Sequence, residues 1–381
     1  MPKTEQSDSK SNSLFWKESP FLFLKGFLMG SADIVPGVSG GTMALIVGIY
    51  TRLINAIKSF DTTFFKRLLT LRFKSALREV DWRFLLVLFC GMIGAVLFFT
   101  KVVPLQVYMF TDPELIYGLF FGLIVGSIVI LVKAIDGFGW IYGLMIVLGA
   151  GIGFWVVTLV PTSTPESPLF VFLSGSVAIC AMVLPGISGS YILLILRKYD
   201  YILSEVGKVG TPEMGAGLWA LLPFVFGAIC GLAIFSRILS WLLNRYEAKT
   251  LAVLIGFLIG SLYVIWPYQD RSYKEIVSNR SIVEYYSPQA QKLRSNPINK
   301  KQPEFTKLGK IISTDSSSQS SQKVEVLTVK QKLIASSPFV PYITRQDAGT
   351  SHFWSGIGGM LIGVLMVLGL DRLRGSSSLV N

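Results

Sequence analysis

Twice along this chain an apolar run is interrupted by the same turn. Asp33-Ile-Val-Pro-Gly-Val-Ser-Gly-Gly-Thr42 places a proline, three glycines, a serine and a threonine inside a hydrophobic stretch, and Ala181-Met-Val-Leu-Pro-Gly-Ile-Ser-Gly-Ser190 repeats it. Pro36 and Pro185, Gly37 and Gly186, Ser39 and Ser188, Gly40 and Gly189, and Tyr50 and Tyr199 are all 149 apart. The apolar halves flanking the first break, near 21–35 and 43–57, are roughly 15 residues each, about 22 Å as helix. Neither crosses about 30 Å of hydrocarbon alone. The economical solution is a helical hairpin that enters a bilayer, turns at Pro36-Gly37, and leaves on the side it entered. Non-helical backbone at that depth persists only where it is buried in protein or lines a cavity, so each break is a candidate site.

A bilayer is the right solvent to assume. The chain has 381 residues, 51% of them hydrophobic and 15% charged, with mean hydropathy +0.56, too apolar for a soluble globule of this size. A net charge of +12 raises nucleic acid as a partner, but the basic residues lie in loops between apolar spans, where orientation in the membrane explains them better. No nucleic-acid partner is expected. Cys90, Cys180 and Cys230 all lie within apolar segments without metal-site spacing, so they read as small hydrophobes, and no metal or cofactor is expected.

In chain order, 1–20 reads as a polar cytoplasmic tail without a signal-peptide cleavage site. Residues 21–160 form a first repeat: a re-entrant hairpin over 21–57, a basic amphipathic segment over 58–83 suited to an anionic leaflet, and spans at 84–103, 114–132 and 137–160. Residues 161–372 form a second, with a hairpin over 169–196, spans at 218–239, 250–266 and 353–370, and an external insertion over 268–352. Within the insertion, Val324 to Ile334 alternates enough to pair as a strand, while Ser316 to Gln322 reads as disorder. The closing 373–381 reads as an expression remnant. Phe99-Thr-Lys101 answers Phe235-Ser-Arg237 and Gly91 answers Gly227, 136 apart; Gly122, Gly126 and Ser127 answer Gly256, Gly260 and Ser261, 134 apart. A hairpin does not change sides and three crossings do, so the second repeat starts on the opposite face. The expected fold is therefore an all-α polytopic membrane protein of two inverted repeats, a build shared by many secondary transporters. The loop charges put both termini in the cytoplasm and the insertion outside.

The chemistry implied is anion binding. A helix beginning inside the membrane presents unpaired N–H groups and a positive dipole end. Ser39, Gly40, Gly41 and Thr42 begin one such helix; Ser188, Gly189 and Ser190 begin the other. Glycine admits close approach of a ligand and the hydroxyls donate or cap, so two such ends from inverted repeats would converge on one anion. The bland alternative is a pair of capped structural turns. Lys101 and Arg237 hold equivalent positions and either attract an anionic headgroup or snorkel to their interfaces. Asp33 has Met182 as its counterpart, breaks the symmetry, and either carries a coupling proton or caps nearby amides. His352 is the only histidine. Gly37-Val-Ser-Gly40 and Gly186-Ile-Ser-Gly189 also fit the nucleophile motif of rhomboid intramembrane proteases, but a serine nucleophile needs a base within reach, and one histidine cannot serve two serines. A duplicated serine suits a symmetric binding site better, and no enzyme activity is expected.

Gly26-Phe-Leu-Met-Gly-Ser-Ala-Asp-Ile-Val-Pro-Gly-Val-Ser-Gly-Gly-Thr-Met43, Cys180-Ala-Met-Val-Leu-Pro-Gly-Ile-Ser-Gly-Ser-Tyr191, Ile259-Gly-Ser-Leu262 and Trp266-Pro267 closely resemble the DUF368 family of prokaryotic membrane proteins. The resemblance covers 26–267 and implies a transporter in the prokaryotic cell membrane that returns polyprenyl phosphate, undecaprenyl phosphate in particular, from the outer to the inner leaflet for envelope-polymer synthesis. Two departures stand out: the long serine-rich insertion, and Arg197 where the family pattern has glycine. The implied substrate needs a polar turn at mid-depth for its head and a lateral opening for its tail. A transporter or channel for a small soluble anion is the alternative the residues leave open, and a structural scaffold the third.

Overall fold

The computed structural model describes residues 3–35, 38–73, 75, 77, 80–159, 164–208, 210–295, 302–313, 322–341 and 350–377. Helix α1 (Lys3–Ile34) runs through the polar N-terminal stretch, with Pro20 inside it, and stops at the first break. Short helices α2 (Gly40–Ile46), α3 (Tyr50–Lys58) and α4 (Thr62–Leu69) follow. Then come α5 (Trp82–Lys101), α6 (Leu105–Thr111), α7 (Pro113–Lys133) and α8 (Trp140–Val157). The second break separates α9 (Pro168–Val183) from α10 (Gly189–Ile195), with α11 (Tyr199–Gly207), α12 (Met214–Arg245) and α13 (Glu247–Ile265) beyond it. Among the described residues, α5, α7, α8, α12, α13 and His352–Gly369 are long and apolar enough to cross a membrane. The chain is a multi-pass membrane protein.

Two compact units divide it, 1–103, 119–265 and 360–381 forming one and 104–118 and 266–359 the other. In the first unit the helices pair through glycines, which let backbones approach where lipid supplies no hydrophobic drive between helices. Gly26 lies against Leu88 and Gly30 against Met92, so α1 and α5 advance together and are parallel. Gly227 lies against Phe172 and Gly231 against Ser176, making α9 and α12 parallel as well. The contacts correspond: adding 149 to the α1 residue and 136 to the α5 residue turns Gly26–Leu88 into Gly175–Phe224, and Phe23–Gly91 into Phe172–Gly227, both of which are observed.

The remaining crossings exchange partners. Gly149 and Gly153 of α8 lie against Val253 and Phe257 of α13, while Gly122 and Gly126 of α7 lie against Met360 and Val364 of the helix Thr350–Ser377. Both pairs are parallel. Each half therefore packs its third long helix on the fourth of the other half.

The second unit corrects the all-α expectation. Strands β1 (Gln269–Glu284), β2 (Glu304–Ser313) and β3 (Gln322–Pro338) form an antiparallel sheet in the order β1-β3-β2, with helix α14 (Pro288–Ser295) between β1 and β2. Val324, Val326, Val329, Phe305 and Ala290 are buried there. The alternation seen from Val324 belongs to β3, the central strand. Strand β1 is mostly exposed, so its residues carry no period-two signal, and two irregularities, at Ser272/Tyr273 and Val277/Asn279, break its register. Most of the serine run lies outside the described residues. The unit also holds Tyr268, whose hydroxyl donates to the Phe353 carbonyl at 2.8 Å, and Arg271, 4.3 Å above the Tyr117 ring. The final helix, α15 (Thr350–Ser377), begins there.

Candidate functional site

The two breaks meet. Helix α9 ends at Val183, leaving carbonyls without intrahelical donors, and in hydrocarbon such groups must be satisfied by protein. The first break satisfies them. Ser39 Oγ donates to the Met182 carbonyl at 3.1 Å and the Tyr50 hydroxyl to the Val183 carbonyl at 3.1 Å, while the Gly186 amide donates to Thr42 Oγ1 at 2.8 Å. Ser39, Thr42 and Tyr50 are at most 2% exposed. Ser39 also caps α2, its Oγ accepting from the Gly41 amide at 3.1 Å. A Cβ on Gly41 would stand 2.7 Å from the Val183 carbonyl oxygen, so only glycine permits this approach.

The predicted site residues thus separate into two groups. Ser39, Gly41 and Thr42 are committed to the junction. Ser188 and Ser190 face outward from it, Ser190 exposed and Ser188 half-buried, with their Oγ atoms 2.8 Å apart. Gly189 is buried against the Ala178 carbonyl. Asp33 is exposed in the last turn of α1, and its Oδ1 accepts from the Gly40 amide at 2.6 Å. A Cβ on Gly40 would lie 2.7 Å from the other carboxylate oxygen. Pro185 and Gly186 are buried, Gly186 with φ +84° and against the Phe257 carbonyl; Pro36 and Gly37 lie outside the described residues.

A second set of contacts shows where the α9–α10 segment goes. The Thr164 hydroxyl donates to the Leu196 carbonyl, and Lys198 Nζ donates to the Thr164 carbonyl at 3.3 Å. The chain leaves Thr164, turns at Pro185-Gly186, and comes back to Thr164.

A family model described as VCA0040-like, undecaprenyl phosphate translocase-like, matches residues 29–282, which include both breaks and the long helices from α5 through α13. This chain belongs to that family. Among curated relatives it is similar to a polyprenyl-phosphate transporter of Vibrio cholerae, 38% identical over 248 residues, covering 65% of this chain and 78% of the relative. It is also similar to one of Staphylococcus aureus, 33% identical over 259 residues, 64% and 85% of the two chains. No solved structure matches it.

In this VCA0040-like chain, Lys101 and Arg237 are less alike than their repeat positions imply. Lys101 is exposed at the end of α5. Arg237 lies eight residues before the end of α12, about 12 Å inside it, and its Nη1 donates to the Ala233 carbonyl at 2.6 Å. Its charge also acts on Asp61, the cap of α4, whose carboxyl is held below the ordinary range chiefly by the Phe64 amide and further by Arg237. Beside it, Ser240 of α12 donates to Asn55 Oδ1 at 2.8 Å and accepts from Lys58 Nζ at 3.2 Å, tying α3 to α12. His352 pairs with Glu114 at 3.3 Å.

Two side chains escaped the sequence reading. Lys198 is 1% exposed, between the Phe170 and Tyr201 rings, each 5.6 Å away. Its position just past an apolar run gives no sign of this burial. Tyr50 was visible only as one member of the Tyr50/Tyr199 pair, and its hydroxyl contact needs the fold.

Proposed function

We propose that this chain carries polyprenyl phosphate, with undecaprenyl phosphate as the natural form, from the outer to the inner leaflet by alternating access around the two Pro-Gly-x-Ser-Gly breaks. One observation carries the reading: two interrupted helices from separate halves are joined by hydroxyl contacts to backbone groups, with an exposed carboxylate, an exposed serine and a half-buried serine left beside the junction. The topology supports it. Parallel packing of α1 on α5 and of α9 on α12 is what a chain that returns to its starting side between them would give, as re-entrant hairpins do. Three crossings then separate the hairpins, and the repeats are inverted, with both termini cytoplasmic and 268–352 external.

Phosphate oxygens accept hydrogen bonds as carbonyls do. Ser188 and Ser190 are the first donors met by the headgroup. As the halves part, Ser39 and Tyr50 exchange the Met182 and Val183 carbonyls for phosphate oxygens, and Gly40, Gly41, Thr42 and Gly189 admit the group to the backbone. A carboxylate beside a phosphate is destabilised by like charge, so Asp33 takes up a proton when the lipid binds, coupling transport to protons. Lys101 and Arg237 draw the headgroup from either side. Such a site is needed because an unpaired charge in hydrocarbon costs several kcal/mol or more.

The test is a leaflet assay in vesicles. Ser188→Ala/Ser190→Ala should slow movement of polyprenyl phosphate while leaving the melting temperature unchanged, because both residues lie outside the junction. Wild-type transport by this double variant would overturn the site, and uptake of inorganic phosphate in place of lipid would overturn the substrate.

A further inference from the structure

A cavity of about 610 Å³ lies among α8, α12, α13 and the residue that follows α9, with Met145, Leu184, Leu239, Leu242, Val253 and Phe257 on its walls. Its polar side chains are confined to one end, at the turn between α12 and α13, where Tyr246, Lys249 and Thr250 contribute. The Thr250 hydroxyl is spent on the Leu242 and Tyr246 carbonyls, at 3.2 and 2.9 Å. Lys249 is exposed, its Nζ 5.7 Å from the centre of the Tyr246 ring. From Lys249 to Phe257 is eight residues of helix, about 12 Å. The Phe257 carbonyl abuts Gly186, and Leu184 immediately precedes Pro185, so the apolar end of the cavity reaches the second break.

A cation at one end and hydrocarbon over the rest is the complement of an amphiphile with an anionic head. One cation and one cavity suit one phosphate and one chain, whereas a diacyl lipid brings two chains. We infer that this cavity is a second station for an isoprenyl phosphate lipid, with the phosphate at Lys249 and the first isoprene units inside. The inference rests on the transport reading above and adds a position to it: the lipid pauses here between the break and the leaflet on the Lys249 side. Tyr246 flanks the ammonium, and the remaining tail leaves sideways into the bilayer.

The experiment uses the full chain in nanodiscs and a polyprenyl phosphate carrying a photoreactive group on its first isoprene unit. Wild-type protein should be labelled on α12 and α13. Lys249→Gln should lower that labelling about fivefold, the attraction of one lysine for an anionic lipid, and Lys249→Arg should retain it. Leu242→Trp, which fills the cavity, should lower it as well, because the indole takes the volume of the first isoprene units. Labelling near Ser188 should survive in all three. Because Lys249 is exposed, the Gln variant tests the station even if the Trp variant folds poorly. Undiminished labelling in the Gln variant, or equal competition by phosphatidylglycerol, would overturn the inference. Failure of the transport reading looks different: wild-type vesicles would move no polyprenyl phosphate at all.

Discussion

Thr42 and Gly186 are 144 residues apart in the chain, and the amide of the second donates to the hydroxyl oxygen of the first at 2.8 Å in a buried setting. The bond gives a buried amide the acceptor it would otherwise lack. Thr42→Val keeps the shape and removes the acceptor, leaving a buried amide unsatisfied at a cost of about 1–3 kcal/mol. A lower melting temperature in detergent is expected for Val and a near wild-type one for Ser.

Glycines at the junction and on the lipid face should respond in opposite ways. Gly41→Ala places a methyl 2.7 Å from the Val183 carbonyl oxygen, which forces the halves apart and should depress both stability and transport. At Gly151 nothing lies within 4 Å of the added carbon. Gly151→Ala should leave the protein as stable or slightly more so, since alanine is favoured over glycine in helices by about 1 kcal/mol. Paired thermal-shift measurements distinguish the two.

Asp33→Asn retains an oxygen for the Gly40 amide and loses the charge. Unchanged folding is expected, together with transport that no longer answers to an imposed proton gradient. Retention of gradient dependence would restrict Asp33 to capping.

Gly48 and Arg197 are 149 apart, and both sit in the left-handed region, with φ of +71° and +50°. Arginine is strained there, where an L side chain costs about 1–2 kcal/mol. Arg197→Gly should therefore raise the melting temperature despite removing a charge, and Gly48→Ala should lower it.

The Asp61 cap gives a pH dependence. Its carboxyl titrates below the ordinary value of about 3.9 in the fold, chiefly because the Phe64 amide donates to the charged form. Its support of α4 is thus complete above that ordinary value and is lost as pH falls through the lowered one. Hydrogen exchange at the Phe64 amide, followed into acid, should show protection fading in that window.

Both breaks were legible because proline and glycine in an apolar run have few structural uses, and because the spacing between copies is constant. The contacts of Gly26, Gly91, Gly175 and Gly227 obey the same offsets, for the physical reason that a close helix crossing needs a small residue on at least one side. Less legible was the division of labour among the serines. Ser39 and Ser188 are identical in type and setting, yet one is bound into the junction and the other half-exposed. That difference depends on which half supplies the hydroxyls and which the carbonyls. Asp33 opposite Met182 was one visible sign of asymmetry. The sheet hid for another reason: β1, exposed over most of its length, reads as polar loop, whereas β3 buries Val324 and Val326 on one face and shows its period.

The exchange of partners among the long helices has a consequence for synthesis. Gly122 and Gly126 of α7 are shaped to receive α15, whose Met360 follows Gly122 by 238 residues in the chain. Until that helix emerges α7 waits in the bilayer with its small-residue groove open to lipid. Maturation of the first half is accordingly deferred until α15 has been made, and a chain released before that point would hold an unclosed seam where quality-control proteases can act.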